Sequence, residues 1–79
     1  MEKIVRITVA FSDDFVITNS WLNPTVENHM MIVRSPWISE DKTLGFVDIM
    51  NPNEYVLGCF LRMFEAGFIK GFMVGKVNL

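Results

Sequence analysis

The side chains that could catalyse a reaction or bind a metal are few and scattered in this sequence. His29 is the single histidine and Cys59 the single cysteine, whereas metal sites need several such ligands at close, regular spacing. Cys59 falls among apolar residues, where a cysteine usually serves as a small buried hydrophobe rather than as a nucleophile. The sequence therefore predicts no metal site, no catalytic cysteine and no cofactor.

Carboxylates are the remaining candidates for acid–base chemistry. The acidic pairs at 13–14 and 40–41 stand in polar segments typical of turns, where short acidic side chains bond to the local backbone. Asp48 differs because it interrupts an apolar run, so it either points outward or forms an ion pair with Arg6 or Arg34. The chain also lacks a Ser-His-Asp spacing, a phosphate-binding loop and a GxGxxG motif. These patterns predict a protein that is not an enzyme.

The segment KGFMVGKV at 70–77 raises the question of nucleic-acid binding. Its first three residues match the opening of the RNA-reading strand of RRM domains, in which exposed aromatic rings stack on bases. The match ends there, because Met73 replaces a small residue and Val74 replaces the second aromatic. The segment also follows the last predicted helix, whereas the RNA-reading strand precedes one. The chain is therefore not interpreted as an RRM domain.

Strand alternation divides this segment into two faces. The face predicted to lie under the helix carries Ile69, Gly71, Met73, Gly75 and Val77, and the outward face carries Phe68, Lys70, Phe72, Val74 and Lys76. In one interpretation the lysine stems cover exposed rings, or a homo-oligomer buries the outward face. In another, Lys70 and Lys76 bind phosphates while a base or other planar group stacks on Phe72.

A second candidate surface is the segment Arg34-Ser35-Pro36-Trp37. An arginine beside a tryptophan is typical of interface hot spots, although a tryptophan that closes the end of a small core gives the same composition. The candidate partner- or ligand-binding residues are therefore Arg34, Trp37, Lys70, Phe72 and Lys76.

The hydrophobic pattern predicts two hairpins that would carry these candidates. Apolar residues alternate from 5 to 11, and β-branched and aromatic residues resume at 15–18, which predicts the first hairpin. Residues 29–38 and 43–50 predict the second, with Pro36 at an edge or a bulge. Between the hairpins, Asn23-Pro24 either caps a short helical turn or opens a loop.

One helix is predicted after the second hairpin. Asn51 is its expected N-cap, Pro52 its first residue, Glu54 the partner in a capping box, and Gly67 its stop. Its apolar arc is wider than one sheet face needs, which predicts deep burial or contact with another subunit. A final strand over 68–79 completes a small α+β domain spanning residues 1–79. Its order is β-β-β-β-α-β, with an antiparallel-rich sheet and the helix on one face.

Composition favours an oligomer in a reducing compartment. Hydrophobic residues make up 51% of the 79 residues, more than so short a chain can bury alone, so a second subunit is expected to cover part of the surface. The net charge of −2 disfavours nucleic-acid polymers and anionic membranes. The single cysteine, the lack of a signal-peptide pattern and the short apolar runs predict a cytoplasmic protein.

These observations predict a small non-enzymatic binding protein that inhibits a host protein by occupying its surface. In size and character the chain resembles small phage-encoded inhibitors of host machinery, of the anti-host or anti-defence kind, and no residue motif carries that resemblance. One alternative is an oligomeric sponge or sensor that binds a small anionic nucleotide at a subunit interface. Another is a structural assembly subunit. The expected partners are the chain itself and either a host protein or a nucleotide.

Overall fold

The computed structural model describes residues 3–13 and 32–77, and these residues form a small α+β fold. The elements are β1 (Ile4–Phe11), β2 (Ile32–Ile38), β3 (Leu44–Met50), α1 (Glu54–Glu65) and β4 (Ile69–Lys76). The predicted fold class is confirmed. The strand predicted at 15–18 and the Asn23-Pro24 segment lie outside the described residues, as do the first residues of the second hairpin.

The four described strands form one antiparallel sheet in the order β2-β3-β1-β4. β1 is central because it pairs with β3 on one side and with β4 on the other, and β2 forms a hairpin with β3. β3 and β4 therefore run parallel to each other with β1 between them, and α1 connects them in a split β-α-β unit. β2 and β4 are the outer strands of the described sheet.

The core lies between one face of this sheet and α1. Strand β1 alternates as predicted, and its odd-numbered residues from Val5 to Phe11 are buried. Val47 and Ile49 of β3 extend the same face, and α1 covers it with Val56, Cys59 and Phe60. The described part of the chain contains no helix of the length and hydrophobicity that a membrane crossing requires.

The N-cap of α1 is Asn53, and the prediction of Asn51 at this position is wrong. The Asn53 side chain accepts a hydrogen bond from the backbone N–H of Val56 at 3.0 Å. Asn51 instead adopts a positive φ of 48° and accepts a hydrogen bond from the N–H of Lys3 at 2.9 Å. Asn51 and Asn53 flank Pro52. Because the Asn51 side chain is bonded to the backbone of Lys3 next to β1, Asn53 caps the helix, which begins at Glu54.

Gly67 ends the helix as predicted. Its φ of 83° lies in the left-handed region that glycine adopts without steric cost. The Gly67 N–H donates to the carbonyl of Phe64 at 3.1 Å, and the Phe68 N–H donates to the carbonyl of Met63 at 3.0 Å. These two bonds make a Schellman motif, which satisfies the last helical carbonyls.

The prediction for the two faces of β4 is wrong beyond Ile69. The register shifts between Ala10 and Phe11, so Ile69 pairs with Phe11 while Phe72 pairs with Val9. Both β4 residues therefore face the core, and the Phe72 ring lies 6.2 Å from that of Phe60. One inserted residue reverses the alternation that follows it, and a strict two-residue period in the sequence cannot reveal it.

Candidate interaction site

The sheet face opposite α1 carries an aromatic and charged cluster formed by Trp37, Phe46, Arg6 and Asp48. Phe46 and Asp48 alternate with the buried Val47, so their side chains leave the opposite face of β3. Trp37 pairs with Phe46 across the β2–β3 ladder, and Arg6 pairs with Asp48 across the β1–β3 ladder. Three neighbouring strands thus bring the four side chains together.

An ion pair fixes the centre of this cluster. Arg6 Nε donates to Asp48 Oδ1 at 2.8 Å and Arg6 Nη2 donates to Asp48 Oδ2 at 3.1 Å, which is a bidentate geometry. Asp48 is fully buried, whereas the Arg6 side chain remains 38% exposed. The hydrogen bonds to Asp48 raise the pKa of Arg6 above its ordinary value, so this side chain remains a cation. Of the alternatives that the sequence leaves open for Asp48, the structure shows an ion pair with Arg6.

The aromatic side chains continue outward from this ion pair. The Cζ atom of Arg6 lies 4.0 Å from the centroid of the Phe46 ring, which is a cation–π geometry. The Phe46 ring stacks on Trp37 with 5.1 Å between centroids and 26° between planes. Asp48 therefore holds Arg6, Arg6 lies over Phe46, and Phe46 supports Trp37. Trp37 is 46% exposed as a residue, yet these contacts hold its ring in a defined orientation.

Trp37 lies on β2, a strand that pairs irregularly with β3. Its pairing with β3 shifts between Ile32 and Arg34 and again between Arg34 and Trp37, and Pro36 lies within the second irregularity. The prediction that Pro36 lies at an edge or a bulge is therefore confirmed. The backbone of Arg34 pairs opposite Asp48, while the side chain of Arg34 lies outside the part of the chain that the structure describes.

The other predicted site residues do not converge. Lys70 Nζ lies 3.1 Å from Asp13 Oδ1 in an exposed ion pair, a type that contributes little to stability. Lys76 lies six residues further along β4, at a distance of roughly 20 Å for an extended strand. Phe72 lies between them but packs toward the core. Within one copy of the chain these three residues do not come together, and the alternative of nucleotide binding at a subunit interface stays a prediction.

Neither the single cysteine nor the single histidine is part of this cluster in the described residues. Cys59 is buried in the helix face that packs on the sheet, and His29 lies outside the described residues. Within the ranges 3–13 and 32–77, no three His, Cys, Asp or Glu side chains are grouped in a way that could hold a metal ion.

Sequence reasoning singled out Trp37 and the Arg6–Asp48 pair but missed Phe46. A signal was present, because Phe46 and Asp48 are two residues apart in one strand and so share a face. What the sequence lacked was the β2–β3 register, since the bulges in β2 decide which residue of β3 lies beside Trp37. Phe46 is the residue that connects the tryptophan to the ion pair.

Comparisons with known proteins found no match from which a function could be transferred. No protein-family model matches the chain, no curated protein matches its sequence, and no solved structure matches its fold. A function for this chain is therefore inferred from the contacts, burial and charges of its described residues.

Proposed function

We propose that this protein is a non-enzymatic binding protein that inhibits a host protein by occupying its surface, with Trp37 as the central contact. The observation that supports this proposal is the half-exposed Trp37 ring, stacked on Phe46 and supported through Arg6 by a buried carboxylate. Tryptophan is the residue type most enriched at the energetic centres of protein interfaces. A ring that is already oriented loses little conformational entropy when a partner covers it.

The charge of the cluster favours a protein pocket over an anionic ligand. Asp48 binds Arg6 through two hydrogen bonds, so the guanidinium next to the aromatic side chains Phe46 and Trp37 already has a carboxylate partner. A phosphate would gain little from a guanidinium that already binds a carboxylate in bidentate fashion. An apolar or aromatic pocket on a partner protein would gain the full hydrophobic contribution of the ring.

The expected contribution of Trp37 is large enough to dominate an interface. A tryptophan side chain buries about 250 Å² at most, and 46% of Trp37 is still accessible, which leaves roughly 100 Å² for a partner. At about 25 cal/mol per Å² this area corresponds to about 2.5 kcal/mol. That value reaches the threshold usually used to define a hot spot.

The test uses a matched pair of aromatic truncations, Trp37→Ala and Tyr55→Ala. Tyr55 lies on α1 and is exposed to nearly the same extent as Trp37. Each tagged variant and the unmodified protein would capture partners from a host lysate, with quantitative mass spectrometry of the retained proteins. The captured partner would then be purified, its binding measured by calorimetry, and its own activity measured with and without this protein.

We expect Trp37→Ala to weaken binding at least 30-fold, which corresponds to about 2 kcal/mol, and Tyr55→Ala to change it less than twofold. Equal capture by Trp37→Ala in a folded state, checked by circular dichroism, would refute the role of Trp37. Binding without any loss of the partner's activity would refute inhibition.

A further inference from the structure

Asp48 uses only part of the hydrogen-bonding capacity of Arg6. An arginine side chain carries five N–H groups, one on Nε and two on each terminal nitrogen. The bonds to Asp48 come from Nε and Nη2, and among the described residues Arg6 hydrogen-bonds to Asp48 alone. The side chain is 38% exposed, so a partner at this surface meets the donors that remain, above all those on Nη1.

Two contacts fix the orientation of these donors. The bidentate bonds to the fully buried Asp48 set the direction of the guanidinium within its plane. The Phe46 ring, whose centroid lies 4.0 Å from Arg6 Cζ, sets the plane itself. A donor that is already oriented loses little conformational entropy when it binds an acceptor, and the rigid fork of arginine keeps this advantage where a flexible lysine would not.

A partner that covers Trp37 also covers Arg6. Arg6 Cζ lies 4.0 Å from the Phe46 centroid, which lies 5.1 Å from the Trp37 centroid, so Cζ and the Trp37 ring are at most about 9 Å apart. A standard interface buries about 800 Å² per partner, which is a patch roughly 30 Å across. An N–H group that loses water in such a patch without gaining an acceptor weakens binding. The partner therefore has to supply an acceptor to Arg6.

A neutral carbonyl oxygen suits this position better than a carboxylate. A second carboxylate on the same guanidinium would lie near that of Asp48, and like charges repel strongly where water is excluded. Backbone carbonyls inside helices and sheets already accept hydrogen bonds, so an available carbonyl belongs to an extended or loop segment. A separation of about 9 Å corresponds to two or three residues of extended chain.

We propose that Arg6 is a second, specificity-determining contact of the Trp37 site, and that its Nη1 group donates to a neutral backbone carbonyl of the partner. This carbonyl belongs to an extended segment and lies two or three residues from the apolar side chain that covers Trp37. The inference rests on the proposed function, because it needs a partner at Trp37, and it adds the chemistry by which that partner is recognised.

The probe is a phage-displayed library of random peptides, selected on the unmodified protein and screened again on Trp37→Ala. Peptides that need Trp37 are then synthesised with single amide-to-ester replacements, each of which weakens one backbone carbonyl as an acceptor. Calorimetry compares their binding to the unmodified protein, to Arg6→Lys and to Arg62→Lys. Lysine keeps the positive charge beside Asp48 but lacks the guanidinium fork. Arg62 is the matched control, because it lies over the Tyr55 ring on α1 at 5.9 Å.

We expect Arg6→Lys to weaken peptide binding about tenfold and Arg62→Lys less than twofold. One ester should weaken binding to the unmodified protein about fivefold but leave binding to Arg6→Lys nearly unchanged, since the bond that it weakens is already lost there. If Arg6→Lys lowers the binding of amide and ester peptides by the same factor, Arg6 has only a structural role and the proposal is overturned, while the role of Trp37 stands. Peptides whose binding depends on an Asp or Glu would overturn the neutral acceptor. If no selected peptide needs Trp37, an extended segment is not the occupant, and the capture experiment still decides the proposed function.

The Arg6 guanidinium can also be followed by NMR in the unmodified protein, which does not rely on the lysine variant folding. A hydrogen bond from Nη1 to a peptide carbonyl slows the exchange of the Nη1 protons with water. We expect at least tenfold slower exchange in the complex with the amide peptide, and a smaller effect with the ester at the critical position. Equal exchange rates in the free protein and in the complex would overturn the proposal.

Discussion

The two outer strands of the described sheet differ in how their edges are protected. β2 contains Pro36 and its pairing shifts register twice, and proline and bulges are common ways to prevent an edge from pairing with another chain. β4 contains no proline and keeps an unbroken register with β1 from Gly71 to Lys76. Of the two outer strands among the described residues, one is irregular and the other is regular and partly apolar.

The difference bears on the surplus of apolar residues in this chain. Met73 and Val74 of β4 are among the exposed apolar side chains, and an edge strand without proline or bulges is a liability in a monomer. On the other side of the described sheet, proline and register shifts protect the β2 edge, which holds Trp37.

The largest expected effect on stability is at the β2–β3 seam. A Cβ atom built on Gly45 would lie 2.9 Å from two ring carbons of Phe11 and 3.0 Å from the Trp37 carbonyl oxygen. Phe11 is buried and cannot move freely, so Gly45→Ala should lower the free energy of unfolding by about 2 kcal/mol, measured by urea denaturation.

The matched control for this change is Gly75→Ala in β4, where the same Cβ meets open space. We expect its effect to stay within about 0.5 kcal/mol. Equal effects of the two substitutions would show that the β2 side is no more tightly packed than the β4 side.

A smaller effect is expected where α1 leads into β4. Gly67→Ala places a side chain at a φ of 83° and should cost about 1 kcal/mol, although the space around the position is open. Gly58→Ala, inside α1, also meets open space and should stabilise by about 0.5–1 kcal/mol, because alanine favours a helix interior. Thermal and urea unfolding of the pair should give opposite signs. If both substitutions changed the free energy of unfolding in the same direction, the left-handed backbone conformation of Gly67 would be contradicted.

The smallest effect concerns the β2–β3 turn and depends on pH. Hydrogen bonds from the Thr43 side chain, the Ser39 side chain and the Thr43 backbone lower the pKa of Asp41. A carboxylate with a lowered pKa in the folded state stabilises above its unfolded pKa of about 4, and that contribution is lost as the pH falls through the folded pKa.

The Tm difference between the unmodified protein and Asp41→Ala should therefore be greatest near pH 6–7 and shrink below about pH 4. Thr43→Val, which removes the hydroxyl donor, should weaken this pH dependence. A Tm difference that stays constant from pH 7 to pH 3 would contradict the stabilising role of the ionised Asp41 side chain.

Several elements could be predicted from local patterns because their causes are local. The alternation in β1 identifies its buried side, Gly67 marks the end of the helix, and Pro36 marks an irregular edge. Each depends on side chains or backbone preferences within a few residues. The ion pair of Asp48 was predictable for a related reason, since a carboxylate within an apolar strand needs a partner.

Other features could not be predicted because they depend on contacts between distant segments. Asn51 and Asn53 are equivalent helix caps in the sequence, and only the hydrogen bond to Lys3 distinguishes them. Phe72 faces the core because of a register shift opposite Ala10 and Phe11. The support of Trp37 by Phe46 likewise depends on how two strands align.

The sequence by itself determined the α+β class, the alternation of β1 and the excess of apolar residues, because composition and short-range periodicity are properties of the chain alone. Only the tertiary structure decided that Trp37 is exposed and oriented by Phe46 and Arg6, and that Val74 and Met73 remain exposed beside β1. The physical reason is register. One extra residue in a strand reverses the side on which later side chains lie, and long-range pairing fixes where that residue is placed.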